Sequence, residues 1–192
     1  MKKVCILIAV CFAMFFNLSV SSAELVPLSD ENVDDFYTKI RTYAGRIKNS
    51  NLVFTKLVSF GQKDLQIDFI VGNKKKANLM AGQFGIKNSG SYQCTIYAYS
   101  DQQNKCLMWA LENDSRNNIG QKAALDVFAT SLVALDLTKE EINELVDNLE
   151  ASEKKNSGRG HVNVWSSKNN KYIVVSSTNT SVSIFASDTK LF

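Results

Sequence analysis

The chain has 192 residues, is 45% hydrophobic and 21% charged, and carries a formal net charge of +3. Part of that charge belongs to a segment expected to be removed: Lys2 and Lys3 precede an apolar run from Val4 to Leu18 that closes on Ser21-Ser22-Ala23. Without residues 1–23 the chain keeps 169 residues and 20 basic against 19 acidic side chains, a balance that gives no support to a nucleic-acid or anionic-membrane partner.

A basic start, a hydrophobic middle and small residues at the −3 and −1 positions are what the export machinery and its peptidase read. We therefore expect a signal peptide over 1–23, cleavage after Ala23, and a protein in the periplasm or the medium. The apolar core of about 15 residues falls short of the ~20 that span a bilayer, so an uncleaved anchor is the weaker reading. Lipid attachment at Cys11 is weaker too, because Val10 stands where such signals carry a small residue. The remaining 169 residues suffice to bury roughly 70% of the unfolded surface. They read as one α+β domain divisible into halves 24–116 and 117–192.

In chain order, the segment after Pro27 opens a helix. Ser29 or Asp30 can cap it, and Val33, Phe36, Tyr37, Ile40, Tyr43, Ala44 and Ile47 form one apolar stripe. Asp30, Glu31, Asp34 and Asp35 complement the positive end of that helix rather than forming a calcium loop. Five strand-like runs follow: Leu52 to Phe60, Leu65 to Val71, Leu79 to Ile86, Tyr92 to Ser100 and Lys105 to Leu111. Turns are expected at Gly61-Gln62-Lys63, at Gly72-Asn73-Lys74 and at Lys87-Asn88-Ser89-Gly90. Lys74-Lys75-Lys76 is read as a solvated turn tip.

A second helix starts near Ile119, and its middle, Ala123 to Leu135, is apolar nearly all round, which predicts the most buried helix. Thr138 and Glu141 then fit a capping box, so a third helix begins there with Ile142, Leu145, Val146 and Leu149 as its stripe. Three strands close the chain: Val162 to Trp165, Tyr172 to Ser177 and Val182 to Ala186. The order α-β5-α-α-β3 favours α+β with antiparallel sheet over a fold of βαβ crossovers.

Outside the signal, Cys94 and Cys106 are the remaining cysteines. An even pair in an exported chain is expected to form a disulfide, here stapling the hairpin of the Tyr92 to Ser100 and Lys105 to Leu111 runs. A redox or metal pair is disfavoured by the eleven-residue gap. His161 is the single histidine and stands in no nucleophile-bearing motif, so no catalytic residue, metal or cofactor is assigned. Tyr97 and Tyr99 share one face of their strand with Cys94 and Ile96 on the other, and with Trp109 they are the candidate binding residues. Cross-strand aromatic pairing that only stabilises the sheet is the competing reading.

The stretch from Leu135 to Leu149, an apolar helix end, the Leu137-Thr138-Lys139-Glu140-Glu141 step and a short amphipathic helix, precedes a three-stranded meander. Over Gln121 to Ala186 this resembles secreted bacterial proteins built from small helix-plus-antiparallel-sheet units, of the β-lactamase-inhibitor-protein-like fold type. The resemblance implies a binding or inhibitory scaffold and carries over no functional residue. The expected function is a non-catalytic exported module that engages a protein or cell-surface ligand. The alternatives are an envelope hydrolase centred on His161 and a structural accessory protein.

Overall fold

The computed structural model describes residues 23–47, 51–67, 74–87, 89–113 and 118–192. The expected signal peptide, Ala23 apart, lies outside the described residues. Nine strands and three helices occur among those described. They are β1 (Leu25–Val26), α1 (Val33–Ala44), β2 (Leu52–Phe54), β3 (Val58–Gln66), β4 (Lys74–Ile86), β5 (Cys94–Ser100), β6 (Cys106–Asn113), α2 (Asn118–Ala134), α3 (Lys139–Lys155), β7 (Gly160–Ser166), β8 (Lys171–Ser177) and β9 (Ser181–Ser187). The fold is α+β, with a single antiparallel sheet in the order β2-β4-β5-β6-β9-β8-β7; β3 also pairs with β4, and β1 with β9. The element order departs from the expected one, since β1 precedes the first helix.

The helices take one face of this sheet. Val33, Phe36, Tyr37, Ile40 and Ala44 of α1 are buried, as their spacing requires. They join Phe84, Ile96, Ala98, Trp109, Leu111 and the inner side of α2 in the main core. The cap of α1 is Asn32, whose side chain accepts from the Asp35 amide, rather than Ser29 or Asp30. The α2 helix is apolar on more than its buried side: Leu125 is 66% exposed, so an apolar circumference did not produce burial all round.

The expected turn at Gly61-Gln62-Lys63 and the expected lysine tip at Lys74-Lys75-Lys76 are strand, while Gly72 and Asn73 lie outside the described residues. At Gly61, φ is +76° and the pairing of β3 with β4 shifts between Ser59 and Gln62, so the glycine supplies the left-handed residue of a β-bulge inside β3. Lys74, Lys75 and Lys76 lie on β4 rather than at a turn tip. Lys76 pairs across the sheet with Asp64 at 2.8 Å, and Lys75 donates to the Leu25 carbonyl. Beyond the bulge, Leu65 and Ile67 fold onto the helix-free face and bury Phe185, Val174 and Leu107 in a second, smaller core with Leu25. Phe69 and Val71, expected to continue that alternation, lie outside the described residues.

The expected Cys94–Cys106 disulfide is absent, and the hairpin register is the reason. Cys94 stands opposite Asn113, whereas Cys106 stands opposite Ser100 at the turn end. Six residues of strand separate the two levels, about 20 Å against the ~6 Å that a disulfide tolerates. Both side chains are buried, Cys94 with its sulfur 3.3 Å from the Gly120 carbonyl of α2.

The capping box of α3 is present and has a further function. Thr138 Oγ1 accepts from the Glu141 amide, and Glu141 Oε2 accepts from the Thr138 amide at 2.9 Å. Glu141 Oε1 also accepts from the amide and hydroxyl of Ser167 after β7, at 2.8 and 2.9 Å, tying the helix start to the sheet. Burial would raise the Glu141 carboxyl, but the Ser167 and Thr138 donors outweigh it and hold the group below its ordinary value. Glu141→Ala is therefore expected to cost about 2 kcal/mol. Because this folded-state carboxyl is depressed, its stabilisation is present above the ordinary carboxylate range and is lost as pH falls through it. Denaturant titrations at pH 7 and pH 3 check both statements; equal losses at the two pH values would refute the carboxylate account.

Candidate functional site

Residues directly opposite in an antiparallel pair point to the same face, so the registers define what the helix-free face carries. One row across the sheet is Ala81, Tyr97, Ala110, Ser183, Ser176 and His161. The adjacent row is Leu79, Tyr99, Met108, Phe185, Val174 and Asn163. Tyr97 and Tyr99 are thus both on the helix-free face and both half-buried, while Cys94 and Ile96 point into the main core.

The two tyrosines have different surroundings. Tyr99 packs against the second core that Leu65 and Ile67 cover. Tyr97 instead lines an open groove of about 650 Å³ with Val58 and Phe60 of β3, Leu79 and Ala81 of β4, and Thr55, Lys56, Gln83 and Thr95 at its polar end. Val58 is 59% exposed and Phe60 58%. The bulge at Gly61 helps to leave these two side chains uncovered while Leu65 beyond it is buried. Sequence reasoning passed over Val58 and Phe60 because the glycine-led triplet after them reads as a turn; a strand that ends in a turn gives no reason to expect an exposed apolar pair.

Trp109 does not belong to this surface. It pairs with Ala98, points beneath α1 and is fully buried, with its ring 5.4 Å from Phe36 and 5.9 Å from Tyr37. One residue of register separates it from Met108 and Ala110, which do face outward, and the period of two sends it to the opposite side.

His161 lies at the far end of the tyrosine row. Its Nδ1 is 2.9 Å from Ser176 Oγ, and its ring stacks on Phe192 with centroids 5.4 Å apart. A serine beside a histidine invites a nucleophilic reading. The setting opposes it: Ser176 is in an inner strand flanked by β7 and β9, where the ladder engages the backbone amides that an oxyanion hole would need. The acids around α1 are placed structurally. Glu31 meets Lys39 at 3.2 Å, and Asp35 accepts from the Asn32 side chain. Among the described residues, no three His, Cys, Asp or Glu side chains gather as metal ligands, and no helix is long and apolar enough to cross a membrane.

No family model, curated protein or solved structure matches the chain.

Proposed function

We propose that the protein is an exported, non-catalytic binding module whose ligand is a protein, held on the helix-free sheet face by the groove between Tyr97 and the Val58 and Phe60 pair. The supporting observation is the exposure of Val58 and Phe60 beside a half-buried tyrosine. An apolar surface rimmed by polar groups is characteristic of contact sites, and aromatic anchors in grooves supply most of the energy in such contacts. Lys56 at the polar end adds a cation for an acidic group on the partner. The inhibitory scaffold implied by the fold-type resemblance is compatible with this reading.

A photo-crosslinking residue in place of Phe60, in exporting cells, is expected to yield a discrete protein adduct that disappears with Tyr97→Ala. The same reporter at Lys122, on the opposite side of the molecule, should give none. Equal adducts from both positions, or none from either, would remove the proposal. Mass spectrometry of the exported chain should show Glu24 as its first residue.

The hydrolase reading retains one observation in its favour, the His161 to Ser176 contact. It requires that Ser176→Ala abolish a measurable turnover while leaving the Phe60 adduct intact; the binding reading requires the converse of Tyr97→Ala.

A further inference from the structure

A second site lies on the other face of the sheet, between α2 and α3. The α2 helix packs over β4, β5 and β6, whereas α3 packs over β7 and β8. Strand β9 lies between these two groups. Strands β6 and β7 are three strand spacings apart, about 14 Å, while packed helices approach to about 8–10 Å. The helices therefore straddle β9 and leave a slot between them over that strand.

The slot is a cleft of about 470 Å³, a volume typical of small-molecule sites. Leu111 and Val182 form its floor, Ala124, Leu125 and Phe128 its α2 wall, and Val146 and Leu149 its α3 wall. Its charged groups are Glu150 and Glu153, and no Lys or Arg occurs among the described residues that line it. Glu153 is fixed rather than free to swing: Ser177 Oγ donates to its Oε1 at 2.5 Å. Gly160 makes that position accessible, since a Cβ there would lie 2.6 Å from Leu149, 2.8 Å from the Ser177 hydroxyl and 2.9 Å from Glu153 Cγ. Glu150 pairs with Lys154 one helical turn on, at 3.8 Å, with both side chains exposed.

We infer that this cleft binds a small cationic amphiphile, an amine whose hydrocarbon body lies on Leu111, Phe128, Leu149 and Val182 and whose ammonium group meets Glu150 and Glu153. The apolar floor and walls take the body, and Glu150 and Glu153, with no Lys or Arg among the described lining residues, select the sign of the head. The site is independent of the sheet-face groove, which lies on the opposite side of the sheet.

Calorimetric titration of the protein with octylammonium and with octanoate tests both halves of the inference. Octylammonium should bind saturably at one site, with octanoate about tenfold weaker or undetectable. Ala124→Phe, which fills the slot from α2, should abolish binding. Glu150→Gln, at an exposed position that leaves packing intact, should weaken octylammonium without strengthening it for any other probe, and Glu150→Gln with Glu153→Gln should remove the preference over octanoate. Equal binding of the two probes, undiminished binding in a folded Ala124→Phe variant, or capture of a basic amphipathic peptide in place of octylammonium would overturn it.

Discussion

Trp109→Ala is expected to destabilise the protein by about 3–5 kcal/mol, the largest effect of any single side-chain truncation considered. The indole is fully buried beneath α1, edge-on to Phe36 and tilted against Tyr37, so its removal opens a cavity between that helix and β6. Its Nε1 has no hydrogen-bond partner among the described residues, which means that the loss is one of packing. Trp109→Phe should accordingly cost much less than Trp109→Ala. Urea titrations of both variants decide the matter: a midpoint shift with unchanged slope is expected, and equal losses for Phe and Ala would show that the ring's bulk is not what matters.

Alkaline pH is expected to unfold the protein progressively between about pH 9 and 12, with a slope traceable to Cys106. Burial pushes that thiol from 9.0 up to about 12, against a backbone hydrogen bond at Met108 that favours the thiolate. An acid whose folded-state value is raised stabilises the fold fully below its unfolded value and ceases to do so as pH rises through the folded one. Over that window the thiol alone corresponds to about 4 kcal/mol. Tyr37, raised by burial to about 12 against the opposing charge of Arg41, steepens the upper part of the fall. Cys106→Ala should flatten the profile between pH 9 and 11 relative to wild type, and dithiothreitol should leave the melting temperature unchanged. A parallel profile in Cys106→Ala, or a loss of stability on reduction, would contradict the buried-thiol assignment.

The features that the chain announces most clearly are the local ones. Thr138 and Glu141 specify the start of α3 because a capping box is satisfied within four residues. Val33 to Ala44 specifies α1 because its stripe needs only a helical period. The disulfide expectation failed on register, although the polar turn at Asp101 to Asn104 already centres the hairpin so that Cys106 faces Ser100 and not Cys94. Export context argues for pairing cysteines in general and says nothing about where two particular strands align. The Tyr97 face was legible from alternation within β5. Its partners Val58 and Phe60 were not, because a bulge and a turn share the same glycine signal. The cleft between α2 and α3 was out of reach altogether, since it follows from the insertion of β9 between β6 and β8, a pairing between segments some 75 residues apart.

That insertion also sets the order of events in making the molecule. Residues 181–187 are an inner strand of the finished sheet, flanked by β6 and β8, and β1 lies along their far end. A ribosome must therefore deliver residues up to 187 before the sheet can close, and until then β6 and β8 present open edges to each other and to neighbouring chains. Late, non-local closure makes for slow folding. For the export proposed above, such a delay keeps the polypeptide slack for passage and places the arrival of β9, which ties β1 to the rest of the sheet, on the far side.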